Sequence, residues 1–336
     1  MKMMRTRREF VAGASAIGAA ALIGGAPALA EEASPETATV RLVKSPGGIC
    51  IAPIFVIDEL LRAEGFSDIR YVPATGGFTS PQMMGRNEVD FGISFAGTPV
   101  YHLDAGLAIT VVGGVHSGCY ELFAHDPIRT ISDLKGKRVG IQTLASSAHL
   151  YLAIMAKHVG LDPHKDFEWV TSDAGNPMEL FAEGKVDAFL GFPPEPQELR
   201  GRNVGRVILQ TATDRPWSQY LCCMLVANRE FVRAYPAATK RVLRAVLKGA
   251  DFCAADPERA AQILVDTGLT ARYDYALQAL REIPYTRWRD YDAEDTLRFY
   301  ALQLREAGMI KSDPNELIAA GTNWQYFEEL KHELKA

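Results

Sequence analysis

The chain has 336 residues, 48% apolar and 23% charged, with a formal net charge of −5. That apolar fraction can build a core, which excludes wholesale disorder, and the length predicts about two domains. Residues 1–30 hold Lys2, Arg5, Arg7 and Arg8 against Glu9 alone, so the other 306 residues carry −8. Phosphate neutralisation needs a basic face, so nucleic acid is not expected as a partner. Past residue 30 no segment reaches the ~18 uninterrupted apolar residues of a membrane span.

The first element is a leader. Thr6-Arg7-Arg8-Glu9-Phe10-Val11 is a twin-arginine pattern opening an uncharged stretch, 10–30, rich in Ala and Gly. It ends in Ala28-Leu29-Ala30, the small-x-small pattern read by signal peptidase. The expectation is twin-arginine export, cleavage after Ala30, and a protein free in a bacterial periplasm. With no Cys near the cleavage site, a lipoprotein anchor is not expected. Beyond the leader lie five cysteines: Cys50, Cys119, Cys222, Cys223 and Cys253. The periplasm permits disulfides, but an odd count leaves at least one thiol free. None shows CxxC or zinc-finger spacing, so no metal ligands are assigned.

Residues 39–44 alternate apolar and charged and predict a strand, broken by Ser45-Pro46-Gly47-Gly48. The pattern then predicts a helix over 52–64, a strand over 68–72, a Thr75-Gly76-Gly77 turn, and a short helix over 80–88. Residues 90–94 predict a strand, 95–99 a loop, and 109–115 a continuously apolar strand of the buried parallel type. A second series begins after Asp126-Pro127: a short helix (131–136), a strand (138–142), a small-residue loop (143–147) and a helix to about residue 158. A strand (167–171), a helix (177–183) and a strand (188–192) complete it. Strands alternating with helices predict parallel sheets with right-handed crossovers. Beyond a strand at 220–227 the pattern turns helical: 230–234, 236–255, 257–267, 273–280, 293–307 and 324–334. The two βα-rich blocks, 36–117 and 128–214, are joined by strand-like segments at 118–126 and 218–228. Two lobes joined by two strands predict a hinged α/β clamshell, with ligand held beyond the carboxyl ends of the strands. The lobes are expected as 36–122 plus 220–336, and 123–219.

Three phrases then carry a resemblance: Asp133-Leu134-Lys135-Gly136-Lys137-Arg138-Val139-Gly140, Ser146-Ser147-Ala148-His149, and Glu183-Gly184-Lys185-Val186-Asp187-Ala188. Asn87-Glu88-Val89-Asp90-Phe91-Gly92 echoes the last, once per lobe. In order and spacing they resemble the substrate-binding proteins of ABC importers, nitrate/sulfonate/taurine type, similar to NMT1/THI5-like proteins. The resemblance implies a type II periplasmic-binding-protein fold that closes about two hinge strands. It also implies delivery of ligand to a membrane permease and its ATPase, with no cofactor; a monomer is expected.

The candidate ligand-binding residues fall at loop ends and hinges. Thr143, Ser146, Ser147 and His149 belong to a loop opening a helix, where free N–H groups and the helix dipole favour an anion. Gly47, Gly48 and Cys50 after the first strand, and Phe95, Gly97 and Thr98 after the third, hold corresponding places in the other lobe. Tyr120, Phe192, Trp217 and Tyr220 are candidate apolar walls, and Glu121 and Glu195 candidate acceptors. A helix N-terminus opposite acids suits a sulfonate or taurine-like zwitterion or an amino-heterocycle. In this fold the hinge strands are neighbours, which implies that Cys119 approaches Cys222 or Cys223. The alternative reading is a cysteine-dependent, desulfinase-like enzyme on the same fold with Cys50 as nucleophile; His102, His116 and Arg86 are candidate activators.

Overall fold

The computed structural model describes residues 34–45, 48–74 and 80–335. The leader with its cleavage site, Gly47 and the turn at 75–77 lie outside the described residues. Pro35–Ala336 form one body.

β1 (Thr39–Lys44) leads through a 3-10 segment, Ile49–Ile54, to α1 (Asp58–Ala63), β2 (Asp68–Pro73), α2 (Ser80–Gly85), β3 (Phe91–Phe95), α3 (Gly97–Asp104) and β4 (Ile109–Ser117). The chain crosses as β5 (Glu121–Ala124) and continues through β6 (Lys137–Gly140), α4 (Ser147–His158), β7 (Phe167–Val170), α5 (Pro177–Ala182), β8 (Ala188–Gly191), α6 (Glu195–Gly201) and β9 (Arg206–Gln210). It returns as β10 (Leu221–Asn228) and ends in helices α7 (Arg229–Ala234), α8 (Pro236–Ala255), α9 (Pro257–Asp266), α10 (Tyr273–Glu282), α11 (Ala293–Glu306), α12 (Pro314–Gly321) and α13 (Gln325–Glu333).

The strands form two five-stranded sheets, ordered β2-β1-β3-β10-β4 and β7-β6-β8-β5-β9. The two orders are the same pattern. In each, three parallel strands meet one antiparallel strand that belongs to a crossing between the sheets. This corrects the expectation of purely parallel sheets. β5 and β10 enter their sheets from a crossing, β10 through only the short 3-10 turn Trp217–Gln219, and run against their neighbours. The architecture is the expected two-lobed α/β clamshell.

The echoed phrase has a physical meaning. In the first sheet Asp90 accepts from the Arg41 backbone N–H at 2.7 Å and pairs with its guanidinium at 2.6 Å. In the second, Asp187 does the same to Arg138, at 2.8 Å for both contacts. The backbone turns into each strand at positive φ, at Asn87 (58°) and Gly184 (72°). Each phrase thus ties two strands of its sheet together, β3 to β1 and β8 to β6.

Some elements differ from expectation. The helix at 52–64 is broken: Ile49–Ile54 is 3-10, and Ile51 leaves helical geometry at φ −96°, ψ 16°. Pro53 lacks the N–H that a continuous helix would use. The 95–99 loop gives way at Gly97 to α3, whose N-cap is Ala96 and makes no side-chain bond. The sequence pattern predicts neither α6, β9 nor α12. The first hides behind Pro193-Pro194-Glu195-Pro196, which punctuates the sequence yet fits a helix start.

The long helices α8 and α11 explain the late helical pattern. α8 packs one face on β4 and the 3-10 segment, while α11 lies against both α3 and α4. The Tyr151 and Tyr300 hydroxyls meet at 3.2 Å where α4 touches α11.

Candidate functional site

The segments that follow β1 and β3 touch those that follow β8 and β6. α3 and α4 start there from opposite sides, and Thr98 Oγ1 lies 3.0 Å from Ser147 Oγ. Nearby, the Ile49 N–H donates to the Pro193 carbonyl at 3.1 Å. The two halves are therefore in direct contact, with two positive helix ends meeting at a pair of hydroxyls. That junction suits an anionic group.

Local structure fixes the α4 start. Ser146 caps the helix by accepting from the His149 N–H at 3.4 Å. Ala145 sits at φ +64°, and its N–H donates to His149 Nδ1 at 3.0 Å. His149 therefore holds the loop, while Thr143 is exposed at its rim. An imidazole that accepts this bond must be neutral there, and burial pushes His149 down to about 4. That value lies below the ordinary 6.5, so the stability linked to neutral His149 is intact above pH 6.5 and lost as pH falls through about 4. The ceiling is ~3 kcal/mol. Urea unfolding of ligand-free protein at pH 7, 5.5 and 4 should show this loss, and His149→Gln should flatten the corresponding part of the slope.

The aromatic candidates separate into two groups. Phe95 stacks on Tyr151 at 4.2 Å and meets the edge of Tyr120 at 5.9 Å, and Phe192 leans on Tyr120 at 5.8 Å. These pack on one another, and Tyr120 borders the hollow described next. Trp217 is 1% exposed and packs against Tyr151, His158 and Phe299. Tyr220 stacks on Phe299 at 3.9 Å. Those two join the packing of α11. Gly48 is buried, and a Cβ on Gly97 would stand 2.7 Å from the Phe95 ring, so glycine there allows the close approach.

A hollow of about 420 Å³ opens beside Cys119, Tyr120 and Glu121 on one side and Gln197, Arg200 and Glu282 on the other. Its size suits a small organic molecule. Arg200 sits between Glu121 and Glu282; it pairs with Glu282 at 2.7 Å and also with Glu121. Gln197 Nε2 donates to Glu282 at 2.8 Å. Two acceptors beside the hollow, Glu121 Oε2 and Gln197 Oε1, are buried without a hydrogen-bond partner. Burial raises the Glu121 carboxyl, and Arg200 pulls it partly back. Glu195 is half-buried, accepts from the Phe192 N–H at 3.1 Å, and is pushed by burial up to about 8. A carboxyl raised in this direction can carry a proton and then donate as well as accept. A larger hollow of about 770 Å³, among Lys44, Phe55, Tyr71 and Lys248, is lined from the first-sheet side alone.

The cysteines converge as the hinge neighbourhood implied. Cys119 Sγ lies 3.6 Å from Cys222 Sγ, and all five thiols are free. Cys50, His116, Cys119 and Cys223 also gather, their donor atoms all within 4.8 Å of one another. Cys50 is held low by the Cys119 and Cys223 thiols and by His116, while burial raises Cys119. Arg200, Gln197, Glu282 and Cys223 escape a reading by motif, because their partners are distant in sequence. His116-x-x-Cys119 and the vicinal Cys222-Cys223 were the available signals. Of the candidate activators of Cys50, His116 reaches it; His102 is buried in α3, and Arg86 pairs with Glu88 at 4.0 Å.

The two matched sheets, crossed twice by the chain, define a periplasmic-binding-protein fold. Residues 62–260 match the NMT1/THI5 like family, more than half of the chain, and the chain belongs to that family. A binding protein of Brucella abortus (strain 2308) is 25% identical over 191 residues, 56% of this chain. The chain spans 58% of that relative's length. The 4-amino-5-hydroxymethyl-2-methylpyrimidine phosphate synthase THI13 of Saccharomyces cerevisiae is 24% identical over 231 residues, 64% of this chain and 66% of that protein. Among solved structures, the periplasmic nitrate-binding protein NrtA from Synechocystis PCC 6803 superposes with a TM-score of 0.75 at 13% identity, covering 90% of each chain. The alkanesulfonate-binding protein SsuA from Xanthomonas axonopodis pv. citri, bound to MOPS, gives 0.69 at 18% identity, covering 86% of this chain and 99% of that one. At these identities the structures show the shared fold.

Proposed function

We propose that the protein is the periplasmic solute-binding component of an ABC importer, which captures a small polar organic ligand between its lobes by closing about β5 and β10. The ligand carries hydrogen-bond donors at one end, as a taurine-like zwitterion or an amino-heterocycle does. The observation that carries this is the pair of unpartnered buried acceptors, Glu121 Oε2 and Gln197 Oε1, beside a hollow of about 420 Å³. Acceptors left empty in a buried site cost free energy that a donor-bearing ligand recovers. The facing starts of α3 and α4 suit the anionic group of a zwitterion. A structural neighbour that binds alkanesulfonate on this fold, and a relative named as an aminopyrimidine phosphate synthase, support the ligand class. On this reading the twin-arginine leader is removed after Ala30, the lobes divide near residues 122 and 220, and a monomer hands its ligand to a membrane permease driven by an ATPase.

A thermal-shift screen of taurine-like zwitterions, alkanesulfonates, aminopyrimidines and inorganic anions tests the proposal. A micromolar ligand at millimolar concentration should stabilise the protein by about 4 kcal/mol. Glu121→Leu and Gln197→Leu should each weaken the best hit about 10- to 100-fold in calorimetric titration. A screen in which only nitrate-like anions bind would overturn the ligand class.

One observation favours a second reading, a cysteine-dependent enzyme: the Cys50 thiol is held low, with His116 beside it. Turnover of a bound sulfinate or sulfonate that disappears in Cys50→Ser would establish it; tight binding without product excludes it.

A further inference from the structure

We propose that Cys50, His116, Cys119 and Cys223 are the four ligands of a resident zinc ion that ties the hinge to the first sheet. The donors come from three stretches of chain: the 3-10 segment after β1, the end of β4 with the crossing that follows it, and the start of β10. They lie within 4.8 Å of one another. In a zinc tetrahedron with Zn–S about 2.3 Å, donors stand ~3.5–3.8 Å apart, so small side-chain rotations close the set. Three thiols and an imidazole, with no carboxylate among them, suit zinc and not calcium or magnesium.

The histidine is set up as a ligand. His116 is fully buried, and its Nδ1 lies 3.1 Å from the Ser117 carbonyl. A carbonyl only accepts, so Nδ1 carries the proton and Nε2 presents its lone pair. That Nε2 is buried with no hydrogen-bond partner, and the His116 side chain gathers with the three thiols. A metal-binding histidine usually donates its other N–H to such a carbonyl. The strand geometry helps. Side chains alternate along a regular strand, but the β10–β4 register shifts between Leu221 and Cys223 and again before Met224. Cys222 and Cys223 can therefore both approach Cys119, with Cys223 as the ligand and Cys222 as a neighbouring thiol 3.6 Å from the Cys119 sulfur. Four protein donors, all buried, leave no open coordination position, so the ion is structural and not catalytic.

The test uses the full mature chain, expressed with zinc and purified with its thiols protected. The expected result is one zinc per chain retained through dialysis against a weak chelator, and released in step with mercurial titration of the thiols. Cobalt in its place should give tetrahedral d–d bands and a thiolate-to-metal charge-transfer band. Cys50→Ser, Cys223→Ser and His116→Ala should lose the stoichiometric ion, while Cys253→Ser, a buried cysteine outside the cluster, should keep it. Wild-type protein that holds no zinc overturns the proposal, as does an octahedral cobalt spectrum without the thiolate band. So does a Cys119–Cys222 disulfide found by non-reducing peptide mapping. The measurements on wild-type protein decide the matter even if a ligand variant does not fold.

Discussion

Gly118→Ala should cost the protein at least about 3 kcal/mol, the range of serious overpacking combined with backbone strain. Gly118 opens the first crossing at φ +35°. A Cβ there would stand 2.3 Å from Ala212 Cα, 2.5 Å from Ala212 N and 2.6 Å from the Thr211 carbonyl. These are backbone atoms and cannot rotate away. They are also held in place, since Tyr120 N donates to Thr211 Oγ1 at 2.9 Å and Thr211 N donates to the Tyr120 carbonyl at 3.0 Å. Relief of the clash therefore requires the two crossings to part. Urea unfolding should show a large drop in midpoint. A midpoint within experimental error of wild type would show that the crossings are loosely packed, contrary to these distances.

Trp217→Ala should remove about 3–5 kcal/mol, the usual cost of deleting a fully buried large aromatic. The indole is enclosed by Tyr151 from α4, Phe299 from α11, and His158. It therefore joins elements attached to different sheets. Because it lies in this packing, the ranking of ligands in a binding screen should not change once the variant is held below its melting temperature. A reordered ranking would return Trp217 to the role of a ligand-facing wall.

Much of the fold was legible because local patterns agreed with tertiary demand. The 109–115 run is apolar but for Thr110 because β4 is buried along its whole length, although it pairs antiparallel with β10 and not as the parallel strand expected. The helix expected at 236–255 matches α8 (Pro236–Ala255), which begins with a proline suited to a helix start and stops before Asp256-Pro257. Legibility failed where the local signal pointed the other way. α3 has no capping side chain at Ala96, and Gly97 with Pro99 imitates a loop. Antiparallel β5 and β10 look in sequence like any other strand, since direction is decided by connections and not by composition. The candidate junction was legible on one side only. Ser146, Ser147 and Thr98 announce themselves as small residues before helices. Arg200 meets Glu121 and Glu282 from 79 and 82 residues away, and the cysteine–histidine cluster spans residues 50 to 223. Nothing local in the chain encodes those meetings.

The antiparallel strand β10 has a consequence for the order of assembly. It is inserted between β3 and β4, which are made more than 100 residues earlier. During synthesis β3 and β4 therefore wait, their facing edges unpaired, while every strand of the second sheet emerges. That second sheet is contiguous, from Glu121 to Gln210, and can close on contacts of short sequence separation. The lobe that begins the chain is thus the last to be completed, and until β10 arrives its two open edges are the places where a nascent chain is most exposed to pairing with the wrong partner.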